Sequence, residues 1–448
     1  MTPLNVRRKI ILLLTGITAL LGIVLGVRKY AGMPAPDFVL PAGGQPGVLG
    51  PLILDFQQAV AKEKVEPYLS VEPEVPGTWL WEFNRAVFWP AAALQPGQVY
   101  SVRLQRGASD SFGRTLKDSM SWPFTPRTAS ILYLGEAANR PEIWLSDGVQ
   151  SQPVILTDTG GRVIDFAPYP GGEHIVYSVQ NEQGGADLWV IHRDGSGAQR
   201  LLDCGADACL QPAVAPDETV ITFSRRTSIA PLGEIWMFDL TSGKSEPLYA
   251  DRTIAGIQPN WSPRGHSLQF YDPEFSEIRV LDLHDDRVIL IPTDQQAIGS
   301  WSRDEQTLLF TRAESSEIGL PIVRIYQADL GSGEISLLEA ADLGAVDASR
   351  PIFSPDGQSL VMALRPLAGA QNKQLWLVQA DGSGASPITD DPRASFAAYA
   401  WDPAGGRLVF QRLQLESSQS RPQVMLWNQI DGSISIVTED GAWPQWLP

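Results

Sequence analysis

Residues Phe353–Ala363 read FSPDGQSLVMA, an aromatic residue, a Ser-Pro-Asp-Gly turn and an apolar run. The turn supplies the positive-φ position that a tight hairpin needs, and apolar residues flank it, so the stretch predicts two antiparallel strands. The same pattern recurs as FAPYPGGEHIVYS from Phe166, VAPDETVITFS from Val214, WSPRGHSLQFY from Trp261, WSRDEQTLLFT from Trp301 and WDPAGGRLVFQ from Trp401. The first residues of successive copies are 48, 47, 40, 52 and 48 positions apart. After each hairpin comes a third apolar strand ending in an acidic or glycine turn, as in EIWMFDLTSG and QLWLVQADGSG. A short fourth strand follows, as in SEPLYA and SISIVT.

Four strands per roughly 45 residues is the pattern of a β-propeller blade. The recurring W-S-P-D-G-x-x-I-x-F and L-W-x-x-D-x-x-G stretches resemble the repeats of TolB-like propellers, over Ile131–Pro448. The second strand of the unit occurs seven times, beginning with Ile131–Leu134, whereas the first has six copies between them. A seventh copy stands at the C-terminus, where WPQWLP matches QPNWSP (Gln258–Pro263) and RPIFSP (Arg350–Pro355). The expectation is a seven-bladed propeller over 128–448, closed by Pro444–Pro448 pairing with Ile131–Leu134 so that no sheet edge is left open. Trp446 then takes the place that Trp261 and Trp401 hold elsewhere.

Upstream the chain changes character. Arg7, Arg8 and Lys9 precede Ile10–Val27, an uncharged apolar run. At 1.5 Å per residue it spans about 27 Å, close to the hydrocarbon thickness of a bilayer. The flanking cations favour an N-terminus-inside orientation. Arg28 and Lys29 stand where a cleavable leader would show small residues, so residues 1–30 read as an uncleaved signal anchor, with a cleaved signal peptide as the alternative. Either way the remainder is expected outside the cytoplasmic membrane, and no cysteine lies near the segment to carry a lipid. A Pro/Gly-rich spacer, AGMPAPDFVLPAGGQPG, follows, and then short alternating runs such as LILDF, TWLWEFN and QVYSVRL that predict strands. The stretch from AALQPGQVYSVRL to WPFTP resembles bacterial Ig-like domains through Pro96, Gly97, Tyr100, Asp110, Gly113, Leu116, Phe124 and Thr125. An Ig-like β-sandwich is therefore expected over 31–127, making the ectodomain all-β. Trp79 and Trp81 share one strand face, read as sandwich core rather than as a sugar platform.

Several features bear on chemistry. The net charge of −17 argues against nucleic acid, which demands clustered Lys and Arg. Cys204 and Cys209 are the only cysteines, and in an exported chain they suit a disulfide across a surface loop, or free thiols, better than a metal site. Trp144, Trp189, Trp236 and Trp376, with Arg279, Tyr326 and Leu426, are read as one blade position that packs against the neighbouring blade. Asp147, Asp239, Asp282, Asp329, Asp381 and Asp431 close the following turns, where aspartate bonds its own backbone; no cofactor is otherwise indicated, with calcium in one or two of these loops the alternative. His174, His192, His266 and His284 are scattered along the sequence and predict no metal site. No G-x-S-x-G elbow is present, and the last blade strand ends the chain, so a propeller-linked peptidase is not expected.

No catalytic constellation emerges. Propellers take partners at the channel mouth, and the innermost strands begin LQP, IQP and SRP, which nominates Gln211, Gln258 and Arg350 as rim residues; the alternative is that they only bond neighbouring blades. The TolB resemblance implies a protein-interaction platform in the envelope. The reading is a membrane-anchored, extracytoplasmic binding or scaffold protein for a protein, peptide or glycan. The alternative is an extracellular polysaccharide lyase or hydrolase that works through the channel.

Overall fold

The structure is a computed structural model, and it describes residues 32–40, 45–136, 140–148, 152–250, 252, 254–315, 321–338, 346–366, 372–415 and 421–448. The expected anchor, Ile10–Val27, lies outside the described residues. Among those described, no helix is long and apolar enough to cross a membrane. The chain divides after Pro126 into two compact units, with the short stretch Gly47–Gly50 grouped with the second.

The first unit is built of two antiparallel sheets. One orders Asp37–Val39, Leu52–Asp55, Arg85–Pro90 and Gly77–Glu82; the other orders Leu69–Glu72, Tyr100–Leu104 and Met120–Phe124. Alternation along the strands sends Leu52, Leu54 and Phe88 of one sheet and Val102, Leu104 and Phe124 of the other into a single core. Trp79 and Trp81 are half-buried against that core, Trp79 5.1 Å from Phe88 and Trp81 6.0 Å from Phe56. Asp110 is fully buried in the DSFGR turn, where it accepts from the backbone of Phe112 and Arg114 and from Arg114 Nε at 2.7 Å. Gly113 at φ 78° provides the left-handed step of this turn.

Among the described residues the second unit forms seven four-stranded antiparallel sets in sequence order. Their second strands are Ser130–Glu136, His174–Gln180, Val220–Arg226, Ser267–Asp272, Thr307–Ser315, Ser359–Pro366 and Arg407–Gln414. In sets two to seven the first strand comes from the residues just upstream. In the first set it is the C-terminal strand Ala442–Leu447, which pairs antiparallel with Ser130–Glu136, Trp446 opposite Ile131 and Gln445 opposite Leu132. The second and third sets are also joined by one parallel pairing, Ala186 with Ala208. The first strand of the sixth set is broken into Val346–Ala348 and Ile352–Phe353, with Arg350 at the break.

A shared apolar core lies between each set and the next. Leu132 and Ile143 meet Ile175 and Tyr177; Val176 and Leu188 meet Ile221 and Phe223; Ile235 meets Phe270. Tyr271 and Ile278 meet Leu308 and Phe310, Leu309 and Ile325 meet Leu360 and Met362, and Val361 and Leu375 meet Leu408 and Phe410. The last link joins Val409 and Val424 of the seventh set to Ile131, Tyr133 and Trp446 of the first. The cores therefore form a cycle. First strands of most adjacent sets touch one another, whereas fourth-strand residues such as Val154, Leu290 and Ile434 are exposed, so the first strands line the inside and the fourth the rim. The architecture is all-β and propeller-like.

The periodic third-strand position is a packing position in five sets, whereas in the fourth set Arg279 pairs instead with Asp272 and Glu277. Trp144, Trp189, Trp236, Tyr326 and Trp376 are half-buried or buried against the core shared with the preceding set. In the seventh set the register puts Met425, not Leu426, opposite Phe410, and Met425 fills the core shared with the sixth set. The sequence alignment was displaced by one residue there, because a third strand reading VMLWN offers no tryptophan at the shared position to anchor it. Cys204 and Cys209 are bonded, but the pair is buried rather than on the surface: both pack with Val190 and Phe223 in the core between the second and third sets.

Candidate functional site

The inner strands carry a shared backbone irregularity. Gln211, Gln258, Ala398 and Trp443 occupy φ values of 54°, 55°, 45° and 55°, each at a register shift in its strand. A left-handed conformation costs a side-chain-bearing residue roughly 1–2 kcal/mol. It persists where the surroundings hold it, and such outliers gather at functional positions.

Two of the three nominated rim residues are held by neighbouring sets. Gln211 N donates to Asp165 Oδ2 at 2.8 Å, and Gln211 Oε1 accepts from Gln258 N at 2.9 Å. Gln258 Nε2 in turn points to Gln296 O, at 3.4 Å. The second, third and fourth sets are thus laced together along the inside of the ring, and burial pushes the Asp165 carboxyl above the usual range. Tryptophan does similar work further along the inner strands: Trp261 Nε1 donates to Ala213 O at 3.3 Å and Trp446 Nε1 to Ala400 O at 3.0 Å.

Arg350 differs from the glutamines. Its Nε donates to Ser300 Oγ at 3.3 Å, and its carbonyl accepts from the Tyr399 hydroxyl. Solvent reaches Arg350, yet protein surrounds it closely enough that burial lowers its pKa, with Tyr399 as the opposing influence. The Tyr399 hydroxyl is likewise pushed up by burial, to about 12. Trp443 was not among the sequence candidates. It stands on the closing inner strand, 62% exposed, with its backbone N–H donating to Gln411 Oε1 at 3.2 Å. Its alignment with Gln258 in the WPQWLP and QPNWSP stretches was the available signal.

The histidines are less scattered than their sequence positions suggest. His174 and His192 face each other across adjacent strands, ring centroids 4.6 Å apart. Burial first, and then the His192 ring, lower the His174 pKa, against an upward pull from Glu173. His266 Nδ1 lies 2.8 Å from Glu305 Oε2, and both border, with His284, Asp282 and Asp285, a cavity of about 390 Å³. Strand pairing and turn placement produce these neighbours, which linear spacing cannot reveal. Among the described residues no group of three or more His, Cys, Asp or Glu is placed to hold a metal ion. A cavity of about 860 Å³ borders the first set, lined by Glu136, Arg140, Glu142, Trp144 and Asp158. Glu142 is buried there and committed to Thr157 Oγ1 at 2.6 Å and to the backbone of Thr159 and Gly161.

The turn aspartates bond backbone as expected in most sets: Asp239 accepts from Ser242 N at 2.6 Å, Asp282 from His284 N at 2.9 Å, Asp329 from Ser332 N at 2.7 Å, Asp381 from Ser383 N at 2.9 Å and Asp431 from Ser433 N at 3.0 Å. Asp147 accepts from Ser130 Oγ at 2.7 Å, a bond to the neighbouring second strand.

The class defined by these features is an all-β, propeller-like protein with an accessory β-unit. Among solved structures the chain is similar to TolB from Acinetobacter baumannii, at 19% identity over 72% of this chain and 83% of that one, TM-score 0.42. It is similar to the β-propeller domain of the Trilobed protease from Pyrococcus furiosus at 15% identity over 62% and 83%, TM-score 0.47. A prolyl endopeptidase shares 12% identity over 71% of this chain and 50% of its own length, TM-score 0.52. These likenesses concern the fold. No protein-family model matches the chain, and no curated protein matches it.

Proposed function

We propose that the second unit is a seven-bladed TolB-like propeller, that the first is an Ig-like module, and that Ile10–Val27 anchors both to the cell membrane with the bulk of the chain outside. In this reading the protein is a binding or scaffold protein, and a protein, peptide or glycan docks at the end of the ring marked by Gln211, Gln258, Arg350 and Trp443. The observation that carries it is Trp443, a tryptophan 62% exposed on an inner strand whose other tryptophan, Trp446, is 5% exposed. Large amphipathic aromatics left in solvent beside polar groups are characteristic of binding hot spots. The left-handed backbone at Trp443 projects the ring away from the core that Trp446 fills.

The test is capture of envelope components by the full chain in mild detergent, comparing wild type with Trp443→Ala. Trp443 contributes little to the core, so the variant should melt at the wild-type temperature and lose capture by at least about tenfold, the size of a typical hot-spot truncation. Equal capture by the two proteins would remove this end of the ring as the docking surface.

A further inference from the structure

We infer that the Arg350 guanidinium is a carboxylate-binding subsite inside the ring. The inference rests on reading the inner face as the ligand-binding face, and it names the chemistry bound there.

Arginines in this protein are usually neutralised. Arg279 meets Asp272 at 2.8 Å, Arg365 meets Asp347 at 3.1 Å, and Arg225 meets Asp207 at 2.8 Å. Among the described residues Arg350 has no carboxylate partner, and the one titratable side chain acting on it, Tyr399, keeps its proton because burial pushes it up to about 12. Its single side-chain hydrogen bond uses Nε, to a serine hydroxyl. Both terminal nitrogens therefore keep their donors, in a place that solvent reaches and protein encloses. In a chain of net charge −17, an arginine left without an acid in such a place is an exception that stability does not explain. Enclosure makes the charge costly unless an anion supplies the compensation.

The geometry selects the anion. With Nε committed, the two Nη groups present a planar fork that matches the two oxygens of a carboxylate through parallel N–H···O bonds. One cation balances one negative charge. A phosphate dianion would need a second cation, and Lys373, which donates to Ser349 Oγ beside Arg350, is already paired with Asp347 at 3.5 Å. Ser300 holds the guanidinium at Nε, and the Tyr399 hydroxyl fixes the Arg350 backbone through its carbonyl, so the fork is partly preorganised and less side-chain entropy is lost when it binds. A carboxylate reaches such a site from two sources, the C-terminus of a peptide or a uronic-acid residue of a glycan.

The test titrates sodium acetate into the full chain in detergent, against sodium chloride at equal ionic strength, and follows the arginine side-chain carbon resonances by NMR. The Arg350 signal is assigned by its loss in Arg350→Lys. The expected result is a saturable shift of that signal with acetate and none with chloride, together with a saturable acetate shift of the neighbouring Ser300 backbone amide that is lost in Arg350→Gln. A short peptide with a free C-terminus should then bind at least about tenfold tighter than its C-terminal amide if the source is peptide; glucuronate should outbind glucose by a similar factor if it is glycan. No saturable acetate shift, or acetate binding unchanged in Arg350→Gln, overturns the inference. The two readings fail separately. Capture abolished by Trp443→Ala with no acetate effect leaves the docking surface and sinks the subsite; an acetate effect with capture indifferent to Trp443→Ala does the reverse.

Discussion

At the scale of single residues, the inner strands show how one side chain is used for architecture while its neighbour is left available. Gln211 occupies a strained backbone position and satisfies the Gln258 amide of the next set. Replacing it with alanine removes that acceptor and leaves a partly buried N–H without it, a loss of about 1–2 kcal/mol. Gln211→Ala should therefore lower the urea midpoint measurably while Gln211→Glu, which keeps an acceptor oxygen, loses less. Equal midpoints for the two variants would mean that the bond between sets carries no stability. LQP and IQP in the sequence drew attention to these two positions, and what their polar groups touch is the neighbouring set, as the alternative reading expected. Trp443 went unnoticed because exposure depends on the backbone turn at that residue, which residue type does not report.

At the scale of elements, the closing strand is the most consequential. Ala442–Leu447 contributes Trp446, 5% exposed, and Leu447, fully buried, to two different shared cores. Arg407 lies over the Trp446 ring at 4.8 Å, and Arg193 Nη1 reaches Pro448 O at 3.2 Å. Gly172, at φ 74°, turns the adjacent hairpin so tightly against Pro448 that a Cβ there would collide with its carbonyl. Deleting residues 442–448 forfeits a tryptophan and a leucine burial, each worth about 2–5 kcal/mol, and exposes the edge of Ser130–Glu136. The deletion should lower the melting temperature by on the order of 10 °C and promote association. An unchanged melting temperature would show that the ring does not depend on this strand. The WPQWLP repeat match made this pairing legible, since a strand's partner can be inferred when six copies of the same pairing stand elsewhere in the chain.

At the scale of the whole molecule, stability should respond to pH through groups that the ring brings together. The His174 pKa is lowered, so the unfolded chain takes up a proton more readily than the folded one. Its contribution is complete above about pH 6.5, the ordinary histidine value, and is lost as pH falls below that toward the folded value. Glu218, which burial raises, has the opposite sign: its cost is present at neutral pH and is relieved as pH falls through its folded pKa. The two oppose each other on acidification, so the His174 part must be isolated by difference. The melting temperature of wild type minus that of His174→Gln should decrease between about pH 7.5 and pH 5.5. A difference that stays constant over this range would refute the assignment.

The sequence by itself determined the all-β class, the repeat, the strand order within each set and the strand that closes the first. These follow from local pattern, because hairpin turns and alternating burial are written in contiguous residues and were repeated often enough to align. It determined that the tryptophans pack between sets, though one third strand without a tryptophan at that position was read a residue out of register. Only the tertiary structure decided which side chains meet: the His174–His192 pair, the buried disulfide, the exposure of Trp443 and the arginine that faces the inside of the ring without an acid. The histidine pair depends on the register of two strands within one sheet, and the other properties on how the seven sets are placed around one another. No local sequence signal encodes the distance between residues on different sheets.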